Sequence, residues 1–487
     1  MYYQALGVRA GWLAVAQVPL LVLLAGKNSL IGLLCNTSYE RLNLYHRWVA
    51  RGLLFLTTLH FALQNHGWDL YGVQTLEWTT DTCPTTGVGA YAFVLWMNLT
   101  TFLPMRYMSY EFFVIQHIVT FFGFTIMLSY HLIGSPGPYA QTYVYIGSAI
   151  YLVFQILRKL RYAFINIRPA RATLEALEGD ATRVRVSSRQ LKNWTPGSHV
   201  LLSIPTFGLV QSHPATIMST PTSHNGDLVF VLRAYRGFTR RILKAAQSTS
   251  SGPRTTEDTI SFPPSTKTYL TLVDGPYGGS HSDFACFDTL ILIAGSTGIT
   301  FTLSNLLDIA HRAAAQKLPL RVINVIWVIR KRTWLPWVAD ELQAAFDQLN
   351  GAGIEIHIEV YVTCDETIVD SADMLNAPSA CQCADGCRCC ERKNSSTSEK
   401  DSSQEGKKRG ESDPRLPCAA LQTGRPVFDN MLRDRVCHAE GEIAVTVCGP
   451  LGLSVSVRSS VVRISDELAV HKGSGLQGIY LHVENFQ

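Results

Sequence analysis

Charge is scarce in this sequence, and the shortage is uneven. Only 16% of the 487 residues are Asp, Glu, Lys or Arg. Residues 10–160 are nearly free of Asp, Glu and Lys, whereas the remainder has the balance of a globular protein. A soluble fold for the first third is thereby disfavoured, and a membrane half followed by a soluble half is expected. A net charge of only +4, with no basic stripe, argues against nucleic acid as a partner. The twelve cysteines lack the spacing of a secreted disulfide scaffold, since five crowd between Cys381 and Cys390 and the rest are scattered. Residues 1–9 lack the basic stretch of a cleavable signal peptide, and the apolar run after them continues onward.

Against that apolar background, four histidines stand out. LNLYHRWVARGLLFLTTLHFALQ carries His46 and His60; EFFVIQHIVTFFGFTIMLSYHL carries His117 and His131. The spacing is fourteen in both, just under four helical turns, so each pair shares a helix face and spans ~21 Å. A bilayer core is ~30 Å thick, so each helix offers one imidazole near each side. Imidazole in hydrocarbon is rare and usually functional. Two helices with matched pairs can hold two haems, each ligated by one histidine from each helix.

Five apolar segments are expected to span a membrane: 10–34, 44–65, 88–104, 111–133 and 141–160. Lys27 and Arg41 lie toward and beyond the end of the first, Arg106 lies between the third and fourth, and Arg158, Lys159 and Arg161 lie at the end of the fifth. The loops 66–87 and 134–140 have no Lys or Arg. The positive-inside rule then puts the N-terminus outside and everything after residue 161 in the cytosol. His46 and His117 share the inner level, His60 and His131 the outer. Arg47 and Arg51 either hold an inner haem propionate or snorkel to the interface. His66, Asp69, Glu77, Asp81 and Cys83 in the outer loop read as metal-attracting or as ordinary solvated residues.

From about residue 166 the pattern changes to short alternating strands: RATLEAL, TRVRVSS, HVLLSIP, DLVFVLRAY and YLTLVDG, an antiparallel barrel pattern. Within it, QSHPATIMS contains His213, Pro214 and Thr216. LRAYRGFTRRIL contains Arg233, Gly237, Thr239 and Arg240, and its Gly–Phe–Thr–Arg opening onto a helix suits a pyrophosphate. FDTLILIAG, the turn Gly295-Ser-Thr-Gly298, an amphipathic helix and RVINVIWVIR form a βαβ unit, hence a parallel sheet. The turn lacks the full dinucleotide fingerprint. Arg330, Lys331 and Arg332 end the second strand, where positive charge favours a 2′-phosphate. IAVTVC is another buried strand, with Cys448, Gly449 and Pro450 at the edge where ligands bind such sheets. Residues 376–418 are polar and read as a disordered insertion. Its Cys381, Cys383, Cys387, Cys389 and Cys390 make a candidate soft-metal cluster.

Taken together, the four histidines, YHRW, WTPGSHVLLSIP, HPATI, GFTRR, DGPYGG, AGSTGIT, VCGP and the terminal VENF resemble the fungal ferric/cupric reductases, within the wider ferric reductase–NADPH oxidase superfamily. The resemblance implies a multi-domain membrane protein. An α-helical transmembrane haem core (1–165, two b haems) would be followed by a ferredoxin-reductase-like FAD β-barrel (166–282). An α/β NADPH-binding domain (283–487) would follow that. It implies flavin contacts at His213, Pro214, Thr216, Gly237 and Thr239, with Arg233 beside them. Ala215 stands where the family has Phe. Nicotinamide-nucleotide contacts are implied at Gly275, Pro276, Gly295, Gly298, Cys448, Gly449 and Pro450, with Arg330 nearby. Phe486 matches the near-terminal aromatic over the flavin.

The implied activity is electron transfer from cytosolic NADPH through FAD and two bis-histidine haems to extracellular Fe(III) or Cu(II) chelates. It would serve metal uptake at the plasma membrane, with a downstream metal permease or oxidase as a partner class. The alternatives are a superoxide-generating NADPH oxidase and a non-catalytic metal-binding membrane protein. The superfamily carries its histidines on the third and fifth of six spans, whereas here they fall on the second and fourth. The chain is therefore expected either to start at an internal Met or to lack a helix.

Overall fold

The computed structural model describes residues 2–26, 30–35, 37, 39–101, 110–133, 139–208, 211–250, 267–279, 281–364, 411–437, 439, 441–470 and 476–485. They divide into two compact units. One comprises Met1–Pro169 with Ser198–Leu201 and Leu272–Ser282; the other comprises Ala170–Gly197, Leu202–Thr271 and Asp283–Gln487.

The first unit is built from five long helices: α1 (Tyr2–Ala25), α2 (Tyr39–Leu70), α3 (Cys83–Leu99), α4 (Tyr110–Ile133) and α5 (Ala140–Asn166). Tyr2–Ala25, Phe112–Ile133 and Ala140–Asn166 are long and apolar enough to cross a membrane by length and composition. The outward faces fit such a setting, with Trp48, Phe55, Ile115, Val119 and Ile156 all exposed. α1 lies along α2 and α5, and α3 along α4. Two expected boundaries move. α1 starts at Tyr2 rather than residue 10, because Gly7, Ala10, Ala14 and Val18 form a small-residue stripe at helical spacing, and all four are buried. The expected loop 66–87 is largely helical: α2 continues to Leu70, Gln74–Thr80 is a short helix, and α3 opens at Cys83 with Pro84 in its first turn.

The tail of α5 is tied to the segment 272–282. Arg158 pairs with Asp274 at 3.0 Å, and Arg161 donates to the Pro276 carbonyl at 2.8 Å. Asn166 and the Val273 main chain exchange two hydrogen bonds, 2.8 and 2.9 Å. Arg158 and Arg161, expected from the sequence to lie on the cytosolic side, thus also have protein partners. Tyr277 donates to Asp274 at 2.5 Å; burial and that bond push its phenol up to about 12.

A six-stranded sheet has the order β4-β3-β6-β1-β2-β5; residues 198–201 of β3 and 272–278 of β6 are counted with the first unit and the rest with the second. Its strands are β1 (Ala170–Leu177), β2 (Ala181–Ser187), β3 (Ser198–Ser203), β4 (His213–Thr216), β5 (Leu228–Arg233) and β6 (Tyr269–Gly278), with α6 (Phe238–Ser250) after β5. β2 alternates buried Val184 and Val186 with Arg183 and Arg185, as a half-buried strand should. A main-chain bond from Met218 N to Val229 O, 2.8 Å, brings the segment after β4 back to β5.

A seven-stranded, mostly parallel sheet follows, in the order β10-β11-β9-β8-β7-β12-β13. It comprises β7 (Thr289–Gly295), β8 (Val322–Ile329), β9 (Glu355–Val362), β10 (Glu411–Asp413), β11 (Leu416–Thr423), β12 (Gly441–Gly449) and β13 (Leu476–Asn485). The connecting helices are α7 (Ile299–Ala315), α8 (Ala339–Gly351), α9 (Phe428–Cys437) and α10 (Leu451–Val470). β7 is buried along its whole length and serves both faces. Leu290, Leu292 and Ala294 pack with α7 and α8 residues such as Phe301 and Leu342; Ile291 and Ile293 pack with Leu432, Val457 and Val461 of α9 and α10. The expected disordered stretch is shorter at its end, since Glu411–Asp413 and Leu416–Thr423 are strands. Asp413 there is clamped by Arg332 at 2.5 Å and Arg415 at 3.0 Å.

Candidate cofactor sites

The histidine pairs lie on α2 and α4. His60 and His131 approach with ring centroids 6.1 Å apart and planes at 78°. An iron with ~2 Å bonds to two imidazole nitrogens holds the ring centroids roughly 6 Å apart, so this spacing fits bis-histidine ligation. The outward-pointing nitrogens are accounted for. His60 Nδ1 donates to the Gly7 carbonyl at 2.8 Å, and His131 Nδ1 to the Cys83 carbonyl at 2.8 Å. His46 Nδ1 donates to the Leu21 carbonyl at 3.0 Å. A carbonyl can only accept, so the proton sits on Nδ1 and the Nε2 lone pair is left for a metal. α1 supplies two of these carbonyls at the same fourteen-residue spacing as the histidines they hold, because α1 and α2 run antiparallel. His117 differs: its buried Nδ1 has no partner among the described residues. These donor sets fit haem.

Arg51 lies over the Trp48 ring, 4.9 Å from its centroid, and Arg47 and Arg51 are both exposed. Of the expected outer-loop metal residues, Cys83 is taken up beside His131, its sulfur 3.4 Å from Nδ1. Among the described residues no group of three His, Cys, Asp or Glu side chains is placed to hold a metal ion. Cys381, Cys383, Cys387, Cys389, Cys390 and Phe486 lie outside the described residues.

At the expected flavin segment, His213, Pro214 and Thr216 form β4, a strand absent from the sequence expectations. His213 is half-buried with its ring 6.0 Å from that of Phe238, and burial lowers its pKa. Gly237 adopts φ +67°, and α6 opens immediately after it. A Cβ there would meet nothing within 4 Å, so the glycine serves the backbone angle and not a tight fit. Thr239 is buried, and its hydroxyl accepts from Tyr235 N at 3.0 Å, bracing the turn. Arg233 lies over Trp334, 4.8 Å from the ring centroid. The first N–H groups of α6 make the positive end that suits a phosphate.

The nucleotide candidates separate into two groups. Gly295, Gly298, Cys448, Gly449 and Pro450 come together where β7 and β12 end side by side, with Cys448 opposite Ala294. Packing there leaves no room for side chains. A Cβ on Gly449 would lie 3.0 Å from Gly295 N, and one on Gly298 would enter the Cys448 carbonyl. Ser296 holds φ +54°, and Trp327 pins the turn by donating to the Ser296 carbonyl at 3.0 Å. β8 and β9 continue the sheet on one side of β7, and β12 lies on the other. This is the reversal of strand order at which such sheets bind nucleotides. Arg330 follows β8 at the same edge of the sheet, and of the basic trio Arg332 is engaged by Asp413. Gly275 and Pro276 instead belong to β6 in the first unit, where Arg161 occupies the Pro276 carbonyl.

One polar cluster escaped the sequence reading. Glu341 on α8 lies 3.3 Å from both Arg183 and His224. Burial alone would raise its pKa, but the His224 bond and the Arg183 charge hold it below the ordinary value. Arg183 and Glu341 lie 41 and 117 residues from His224, and no local pattern signals such a meeting.

Residues 10–128 match the ferric reductase like transmembrane component, residues 165–281 an FAD-binding domain, and residues 287–462 the ferric reductase NAD binding domain. The chain is similar to the probable cell surface ferric reductase kap2 of Aspergillus oryzae, 28% identical over 364 residues, covering 70% of this chain and 46% of that one. It is similar to ferric/cupric reductase transmembrane component 7 of Saccharomyces cerevisiae, 26% identical over 374 residues, covering 74% and 56%. The chain thus spans about half the length of these curated relatives. Among solved structures, a ferredoxin NADP+ reductase from Neisseria gonorrhoeae with bound FAD and NADP aligns with 65% of this chain and 97% of its own, at 11% identity and a TM-score of 0.36. A ferric reductase like transmembrane component, an FAD-binding domain and a ferric reductase NAD binding domain thus follow one another along the chain, and the relatives it is similar to are fungal ferric or ferric/cupric reductases.

Proposed function

We propose that the chain is an NADPH-dependent ferric or cupric chelate reductase that moves electrons across a membrane. The observation that carries this reading is the His60–His131 pair, 6.1 Å apart with both Nδ1 hydrogens already donated to main-chain carbonyls. When bound, the nicotinamide supplies a hydride, the flavin converts two-electron to one-electron transfer, and two haems relay single electrons.

The protein's own contribution is placement. His46 and His117 would hold an inner haem, His60 and His131 an outer one. The opening of α6 with His213, Thr216 and Arg233 would take the flavin, and Thr239 keeps that turn in shape. The glycine-lined edge formed by Gly295, Gly298 and Cys448–Pro450 would take the nicotinamide nucleotide, with Arg330 and Lys331 beside the 2′-phosphate. Two histidines holding each iron would leave it no open coordination position, which would suit outer-sphere reduction of a metal chelate outside the cell. In this arrangement the five long helices cross the membrane with the soluble unit on the cytosolic side.

The test is a dithionite-reduced minus oxidised spectrum of membranes holding the chain, followed by NADPH assays with Fe(III) and Cu(II) chelates. Two low-spin b-type haems and chelate reduction are expected. His60→Ala and His131→Ala should each abolish chelate reduction while NADPH still bleaches the flavin. Chelate reduction retained in either variant refutes the two-haem path, and activity removed by superoxide dismutase assigns the electrons to dioxygen.

A further inference from the structure

We propose that the outer-level histidines are seated in glycine cradles on the neighbouring helices, so that Gly11 and Gly87 are positioning residues for the outer haem. The inference rests on the two-haem reading above. The same arrangement occurs twice, on helices with no sequence likeness. His60 donates to the Gly7 carbonyl of α1 and its ring lies over Gly11; His131 donates to the Cys83 carbonyl of α3 and its ring lies over Gly87. In both, the glycine stands four residues after the accepting carbonyl.

The offset has a physical cause. A helical carbonyl at position i points along the axis toward residue i+4, and the Cβ of residue i+4 tilts back toward the N-terminus, over that same carbonyl. A ring that lies flat over the helix as it reaches the carbonyl therefore comes close to where that Cβ would be. A Cβ on Gly11 would lie 2.9 Å from His60 Nδ1 and 3.1 Å from Cε1; one on Gly87 would lie 2.8 Å from both atoms of His131. These are distances at which the ring has to move. Glycine is the poorest helix former after proline, so its use inside α1 and α3 calls for a steric reason, and the imidazole supplies one. At the inner level the arrangement differs: His46 reaches the Leu21 carbonyl although Ala25, four residues further on, carries a Cβ, so the glycine cradle is a feature of the outer level. The cradle therefore fixes the ring, its tautomer and the direction of Nε2 chiefly through the main chain of the supporting helix, with the Cys83 sulfur also 3.4 Å from His131 Nδ1.

The experiment uses the full chain in membranes and compares Gly11→Ala and Gly87→Ala with Gly89→Ala. Gly89 is on α3 but faces the flexible Met127 thioether, whose sulfur would be 3.2 Å from an added Cβ. Haem is counted per polypeptide, and the reduced minus oxidised band is titrated potentiometrically to resolve its components. Alanine is the better helix former, so a loss of helix does not account for an effect. In Gly11→Ala and in Gly87→Ala, haem should fall from about two to about one per chain, or one of two midpoint potentials should shift while the other stays put. Gly89→Ala should keep both haems at their original potentials. Two haems at unshifted potentials in both cradle variants would overturn the proposal. So would loss of both haems in all three variants, which would mean a general packing defect. A parent chain that carries no haem would instead bring down the two-haem reading, and the cradle with it.

Discussion

At the scale of single residues, two glycines with different duties mark the candidate nucleotide and flavin segments. Gly298 is required for space, since any Cβ collides with the Cys448 main chain, and overpacking of this kind costs about 1–3 kcal/mol. Gly237 is required for its angle, with open space around it, so an alanine there costs about 1 kcal/mol of backbone strain. Gly298→Ala should raise the NADPH concentration needed to reduce the flavin by about tenfold or more. Gly237→Ala should leave that concentration near the parent value and weaken flavin retention. Stopped-flow flavin reduction, with flavin counted per chain, checks both. The glycines were legible in the sequence as turn signals. What the sequence withheld was the reason for each, because the Cys448 carbonyl that crowds Gly298 comes from a strand 150 residues later. The Nδ1 acceptors of the histidines were withheld for a related cause: they are main-chain atoms, and no residue type advertises them.

At the scale of elements, the long periodic segments were readable and the short or interrupted ones were not. β7, α7, β8 and β12 fall where apolar runs and the glycine turn predict them. β4 is four residues long and contains Pro214, which weakens any strand signal. β9 does alternate in EIHIEVYV, a signal that no expectation used. The pair β10–β11 sits at the close of a polar stretch, and its order comes from a tertiary contact, the Asp413 carboxylate shared by Arg415 and Arg332. Those guanidiniums hold the Asp413 carboxyl well below the usual carboxylate range. A lowered folded-state pKa stabilises above the unfolded pKa of about 4, and that stabilisation fades as pH falls below it. Asp413→Asn should therefore cost about 1–2 kcal/mol at pH 7, discounted because Arg332 is partly exposed. The difference from the parent should narrow progressively below pH 4. Thermal unfolding of both chains across that range measures it.

At the scale of the whole molecule, the sequence carried the division of labour between an apolar helical part and a soluble α/β part through composition alone. The orientation of the helices in a bilayer is a further proposal drawn from the placement of Lys and Arg. A cysteine-reactive probe that cannot cross membranes should label a cysteine placed at Thr75, between α2 and α3, on intact cells. It should label the native exposed Cys286 only after permeabilisation. Labelling of Cys286 on sealed cells would reverse the topology and exclude a cytosolic donor.

The parallel pairing of β12 with β13 has a practical side. It runs in register to Cys448 opposite Glu484 and Gly449 opposite Asn485. The main chain at Asn485 is therefore delivered to the very rim of the sheet where the glycine-lined crevice opens. A bulky label attached at Asn485 itself would sit at that rim and compete for the approach to it. For labelling, imaging or immobilisation, the attachment point should be sought elsewhere on the molecule.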